Sequence, residues 1–169
     1  VLSPSHFTLD AAGRPSANPD FITHTAVGHG ENTVVTMQLN DRAKWGDGVP
    51  VTAADWVATW RAASGQVEGV HVNDTAGWER VSDVREGNSP TQVVITWAGV
   101  VPDWAEPLVA GPLRGTAVGS ADGFSWTIVD DAHYAAPFLV THVDETQGLI
   151  TLERNRLWWG DPPKLETIM

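Results

Sequence analysis

One stretch, residues 52–63, is where the sequence writes a helix most clearly, and it limits the fold more than any other feature. Thr52 is placed to cap the free amides, and Asp55, three positions on, to complete a capping box. Ala53, Trp56, Val57 and Trp60 recur at three- and four-residue spacing, which predicts one apolar face with Trp56 and Trp60 stacked along it. Gly65 and Gly69 end the helix. Elsewhere the pattern is extended. Strands are predicted over residues 7–10, 21–27, 33–39, 81–85 and 91–97, the last two as a hairpin, and over 137–143 and 149–154 as an antiparallel pair. A helical turn at 76–80, a short amphipathic helix at 102–109 with Trp104 and Leu108 on one side, and a short strand at 125–129 complete the reading. Roughly six to eight strands beside one strong helix do not alternate as a doubly wound sheet requires. The expected class is α+β, a mixed or antiparallel sheet with one strong helix, folded as a single domain over residues 1–169.

Local chemistry fixes the turn before the helix. Gly46-Asp47-Gly48 reads as a tight bend in which both glycines can take positive φ, with Pro50 setting the exit. Asp47 is expected to accept backbone amides there and so hold the bend. Nine tryptophans stand against one tyrosine. They are expected mainly to fill a wide core, with one or two left to line a cleft.

Charge and composition exclude several classes. With 21 acidic and 10 basic side chains the formal charge is -11, a surface that repels phosphate backbones and anionic lipid, so no nucleic-acid partner is expected. No cysteine is present, which removes disulfides, thiolate nucleophiles and zinc–sulfur sites. No apolar run reaches the ~18 residues of a membrane span. No leader is visible, and the first residue is Val1, which reads as an excised or processed segment. No G-x-S-x-G elbow and no phosphate-cradling glycine loop occur. Asp130, Asp131 and His133 form the one tight acidic–histidine group, too few convergent ligands for a metal site. His24 and His29 sit in a predicted loop and turn, and His142 on a strand reads as an edge or core residue. Asn73-Asp74-Thr75 matches a glycosylation triplet that is common by chance. No catalytic residue, cofactor or metal is expected, and the chain is not expected to be an enzyme.

Two stretches carry a longer pattern. The first runs from Leu39 through Lys44-Trp45-Gly46-Asp47-Gly48-Val49-Pro50-Val51-Thr52 to Asp55-Trp56 and Trp60. The second runs from Gly148 through Leu152-Glu153-Arg154-Asn155-Arg156-Leu157-Trp158-Trp159-Gly160 to Ile168. Together, in this order and at this interval, they resemble the family 5 extracellular solute-binding proteins, the oligopeptide- and dipeptide-binding components of ABC importers. Trp45, Asp47, Gly48, Pro50, Thr52, Asp55, Trp56, Trp60, Arg154, Asn155 and Trp159 carry that signature. The wording is closest to actinobacterial lipoprotein members. Gly46 departs from the usual Ser or Ala, Arg156 and Leu157 from the residues usual before the aromatic, and Ala136 from a glycine near the cleft.

The resemblance implies the small subdomain of the first lobe of a type II periplasmic-binding-protein fold, with residues 152–169 returning toward the main lobe. It implies extracytoplasmic capture of a peptide or similar solute by closure of two lobes, an ABC permease and the remaining lobes as partners, and a membrane-anchored lipoprotein. Phe138 and Trp126 are the aromatic candidates for ligand contact, and the chain alone is expected to be binding-incompetent. The other implied reading is a scaffold or regulator of cell-envelope lipid or glycolipid synthesis built on the same fold.

Overall fold

A computed structural model describes residues 4–70, 75, 77–120 and 131–169. Its elements run in the order β1 (Phe7–Leu9), β2 (Pro15–Ala17), β3 (Ile22–His29), β4 (Thr33–Leu39), α1 (Ala53–Ala63), β5 (Val81–Glu86), β6 (Gln92–Trp97), α2 (Gly115–Val118), β7 (Phe138–Asp144), β8 (Leu149–Arg154) and β9 (Thr167–Ile168). They form a β1–β2 ribbon, a four-stranded sheet ordered β3-β4-β6-β5, and a three-stranded sheet ordered β7-β8-β9. All the described pairings are antiparallel. The α+β class expected from the sequence is the one found.

The core follows from alternation. Along β4 every second residue is buried, so Thr33, Val35, Met37 and Leu39 face inward. Val35 pairs with Ile95 and Met37 with Val93, and all four side chains are fully buried. Helix α1 packs beside this sheet with Ala53, Trp56, Thr59 and Ala63 turned in. Val57 and Trp60 lie only half-buried at the margin. The expected Trp56–Trp60 stack does not form: the Trp56 ring meets His6 edge-on, with centroids 5.8 Å apart. Burial of Trp45, Trp56, Trp78, Trp97 and Trp104 bears out the core reading of the tryptophans.

Other departures have local causes. The helix expected at 102–109 is a single 3-10 turn, Glu106–Leu108, because Pro107 offers no amide to an α-helical ladder. Trp104 and Leu108 are nevertheless buried together in the core. In the 46–48 bend only Gly48 takes positive φ, at 88°, and Gly46 does not. Strand β3 extends through His29, leaving the turn to Gly30–Asn32, closed by the Gly30 amide on the Asn32 carbonyl. His24, His29 and His142 are exposed, the last on edge strand β7. The strand expected at 125–129 lies outside the described residues, as do Trp126, Asp130, Asn73 and Asp74.

Candidate functional site

The first signature folds into one hydrogen-bonded knot. Lys44 and Pro50 form an isolated bridge, and the Trp45 amide donates to the Val49 carbonyl at 2.8 Å. Asp47 Oδ1 accepts the Val49 amide at 3.1 Å, the expected turn role. Its other oxygen pairs with Arg114 Nη1 at 2.7 Å. Burial works against the charged form of Asp47, but the Val49 amide and the Arg114 guanidinium prevail and hold its carboxyl below the ordinary value.

Asp55 is the centre of the knot. At the third position of α1 its Oδ2 accepts the Thr52 amide at 3.0 Å, the backward bond of a capping box. The same oxygen accepts Trp45 Nε1 at 3.2 Å, and Oδ1 accepts the Gly115 amide at 2.8 Å. One turn further on, Thr59 Oγ1 accepts the Leu113 amide at 2.8 Å. Arg114 Nη1 also donates to the Ala132 carbonyl at 2.6 Å. The residues from Leu113 to Gly115 are thereby clamped against α1 and the bend, and the clamp reaches the segment that leads into β7.

The second signature makes its own knot. Asn155 is buried, and its Nδ2 donates to the Ala136 carbonyl at 2.8 Å while its Oδ1 accepts the Leu157 amide at 2.8 Å. Its backbone amide donates to the Pro137 carbonyl. Arg154 Nε donates to the Leu165 carbonyl at 3.0 Å, which folds the 160–165 loop back on β8. Trp158 and Trp159 lie with ring centroids 4.5 Å apart, and Phe21 meets Trp159 edge-on at 5.3 Å. Trp159 Nε1 donates to the Asp20 carbonyl, tying the C-terminal segment to the entry of β3.

Two concavities lie among the described residues. One, of about 320 Å³, is walled by Phe138, Trp158, Pro163 and Leu165, with Asp20, Asp161 and Lys164 also lining it. The other, of about 290 Å³, lies among Trp45, Trp78, Leu113, Tyr134 and His6. His6 is buried with Nδ1 lacking a hydrogen-bond partner, and desolvation lowers its pKa to about 4 against the pull of a Pro4 backbone hydrogen bond. Among the described residues no group of three or more metal-ligating side chains converges.

The signature residues expected from the sequence therefore gather in two places. Trp45, Asp47, Gly48, Pro50, Thr52 and Asp55 share the first knot, with Trp56 and Trp60 on the helix it caps. Arg154, Asn155 and Trp159 share the second with Phe138. Sequence reading missed Arg114, Gly115 and His6. Arg114 and Gly115 stand in a glycine-rich stretch without periodicity, and no local signal marks His6 as buried.

This α+β unit is part of a type II periplasmic-binding-protein fold. It superposes on the periplasmic EDTA-binding protein EppA with a TM-score of 0.83 at 22% identity, over 98% of this chain and 32% of that one. The model of the bacterial extracellular solute-binding proteins, family 5 Middle, matches residues 29–169, and the chain belongs to that family. It is 30% identical over 169 residues to the oligopeptide-binding protein OppA of Mycobacterium tuberculosis, which covers 98% of this chain and 28% of the relative. It is 26% identical over 151 residues to the probable monoacyl phosphatidylinositol tetramannoside-binding protein LpqW of the same organism, covering 87% of this chain and 23% of that relative. The chain thus spans less than a third of the curated relatives it matches.

Proposed function

We propose that this chain supplies one wall of an extracytoplasmic protein that captures a peptide or similar solute for an ABC importer. The observation that carries the reading is the match to OppA along 98% of the chain, both signatures included. The geometry is in keeping with it. Asp47, Asp55, Arg154 and Asn155 are spent on holding backbone and Trp45 and Trp56 on filling core, and the 320 Å³ concavity beside Phe138 offers an apolar wall with Asp20, Asp161 and Lys164 around it. Phe138 is the ligand-contacting residue of this reading, as one side of a cleft that closes by hinge motion against a second lobe. Closure requires both lobes, so the 169-residue chain alone does not retain solute. The permease and the remaining lobes are the partners, and the full-length protein is a membrane-anchored lipoprotein of the cell envelope.

The test is calorimetry and native mass spectrometry on the full-length polypeptide with a pool of short peptides. Saturable peptide binding is expected, with Phe138→Ala weakening it about tenfold, and the isolated chain should bind none. Retention of a mannosylated phospholipid in place of peptide would overturn the importer reading in favour of a role in envelope glycolipid synthesis, the direction in which the likeness to LpqW points.

A further inference from the structure

The concavity among Trp45, Trp78 and Tyr134 is separate from the one beside Phe138, and the two share no described lining residue. It lies inside the unit, where α1 faces the 107–113 and 133–135 segments. Its volume is about 290 Å³. An apolar cavity of about 150 Å³ takes one benzene ring, so this one suits two fused rings. Its walls are fixed ahead of any ligand. The His6 amide donates to the Val109 carbonyl at 2.8 Å and the Leu113 amide to Thr59 Oγ1 at 2.8 Å, which brackets the 109–113 stretch. Pro107 and Pro112 lock φ in or beside that stretch. A Cβ on Gly77 would stand 3.0 Å from Pro107 Cγ, so the backbone leading into Trp78 already rests on that ring. Walls that cannot collapse onto one another leave apolar surface for a ligand to cover.

The chemistry of the walls narrows the ligand. Asp, Glu, Lys and Arg are absent from the described lining, so a charged group entering it would lose water without gaining a counterion. Thr59 and Trp45 spend their polar atoms inside the fold: Thr59 Oγ1 donates to the Asp55 carbonyl and Trp45 Nε1 to Asp55 Oδ2. Burial lowers the pKa of His6 to about 4, so that ring is neutral at pH 7. What is left to a ligand is ring and aliphatic surface, from Trp45, Trp78, Tyr134, Val51 and Leu113. Aromatic rings favour offset or edge-on contact with other rings. We propose that this hollow binds a small uncharged aromatic molecule of about two fused rings, at a site distinct from the one beside Phe138. The formal charge of -11 disfavours an anionic amphiphile in the same place. The inference stands apart from the importer reading and holds whichever solute is captured.

Indole is the probe, titrated into the nitrogen-labelled 169-residue chain at neutral pH and followed by NMR. Saturable shifts are expected at the amides of Leu113, Tyr134 and Ala135 and at Trp45 Nε1–H, with a Kd below about 1 mM. Ala110 is exposed where it lines the hollow, so Ala110→Trp fills the opening without entering the core. It should weaken indole binding at least about tenfold and leave the urea midpoint unchanged. Ala63→Leu fills the hollow from α1 and should weaken binding to a similar extent. Affinity undiminished in both variants would overturn the proposal, as would shifts that grow without saturating. Strongest shifts at Phe138 and Trp158 would place indole in the other concavity and overturn it as well. Octanoate, an anionic aliphatic probe of similar size, should give no saturable shift at these positions; octanoate binding tighter than indole would overturn the aromatic assignment.

Discussion

Asp55 Oδ1 accepts the backbone amide of Gly115, sixty positions along the chain, at 2.8 Å. A capping residue of α1 thus also fixes a loop that has no regular structure of its own before α2. The carboxylate is buried, and its two oxygens serve three N–H donors: Thr52, Trp45 and Gly115. Asp55→Ala leaves all three without this acceptor and is expected to lower stability by about 3 kcal/mol, read from the urea midpoint. Asp55→Asn keeps one acceptor oxygen but turns an NH2 toward donors, so a loss of about 2 kcal/mol is expected. Hydrogen exchange at Gly115 should rise in both variants, which ordinary loss of helix capping would not produce.

Gly111 and His6 are pressed together. A Cβ at Gly111 would stand 2.0 Å from His6 Nδ1, and its φ of 76° disfavours any L side chain. Gly111→Ala is therefore expected to destabilise by about 3 kcal/mol or more through overpacking and backbone strain together. His6→Ala should restore part of that loss in the double variant, because the clash goes while the φ penalty stays. Chemical denaturation of the four members of the cycle measures the coupling.

His6 also sets a pH window. Its pKa is lowered from 6.5 to about 4, chiefly by burial among Phe21, Trp56 and Gly111. Above pH 6.5 the ring is neutral in folded and unfolded chains alike, and the shift has no effect. As pH falls from 6.5 toward 4 the unfolded chain takes up a proton that the folded chain refuses, so stability drops. The full loss, reached below the folded pKa, is about 3 kcal/mol. Asp10 and Asp47, both lowered from 3.8, lose their contributions only at lower pH and leave this window clear. His6→Gln should flatten the dependence of the unfolding midpoint between pH 6.5 and 4. An unchanged slope in the variant would assign the titration to another group.

The readable parts of this fold are those whose signals are local. For α1 the cap, the acid three positions later and the apolar spacing all lie within one dozen residues, and its range follows from them. Strand β4 was legible because alternation along one strand already distinguishes its two faces. The Asp47–Arg114 pair, by contrast, joins a bend to a distant loop, and nothing near either residue announces the other. Burial of His6 arises from Val109, Phe21 and Trp56, three separate segments, so the surrounding loop sequence does not carry it. Strand β9 spans two residues and exists only through its pairing with β8. The signature residues were legible as a set, yet that Asp55 and Asn155 act by holding backbone follows only from the bonds they make.

Asn155 provides the sharpest test of how the second knot supports the Phe138 wall. Its side chain spans two stretches of backbone, donating to Ala136 just before β7 and accepting from Leu157 just after β8. Ala136 is fully buried, so no water replaces the donor if it is removed. Asn155→Ala is expected to cost about 2 kcal/mol in the urea midpoint. Asn155→Asp keeps an acceptor for Leu157 but sets a carboxylate oxygen against the Ala136 carbonyl, and should be worse than alanine at neutral pH and recover as the acid is protonated. The conformational readout is amide exchange at Leu139 and at position 155, whose amide donates to the Pro137 carbonyl where β7 and β8 meet beside Phe138. Faster exchange confined to this end, with the Val143–Ile150 end unchanged, would place the control of Phe138 in Asn155. Uniform loosening of the whole hairpin would instead make Asn155 a general stabiliser of the sheet.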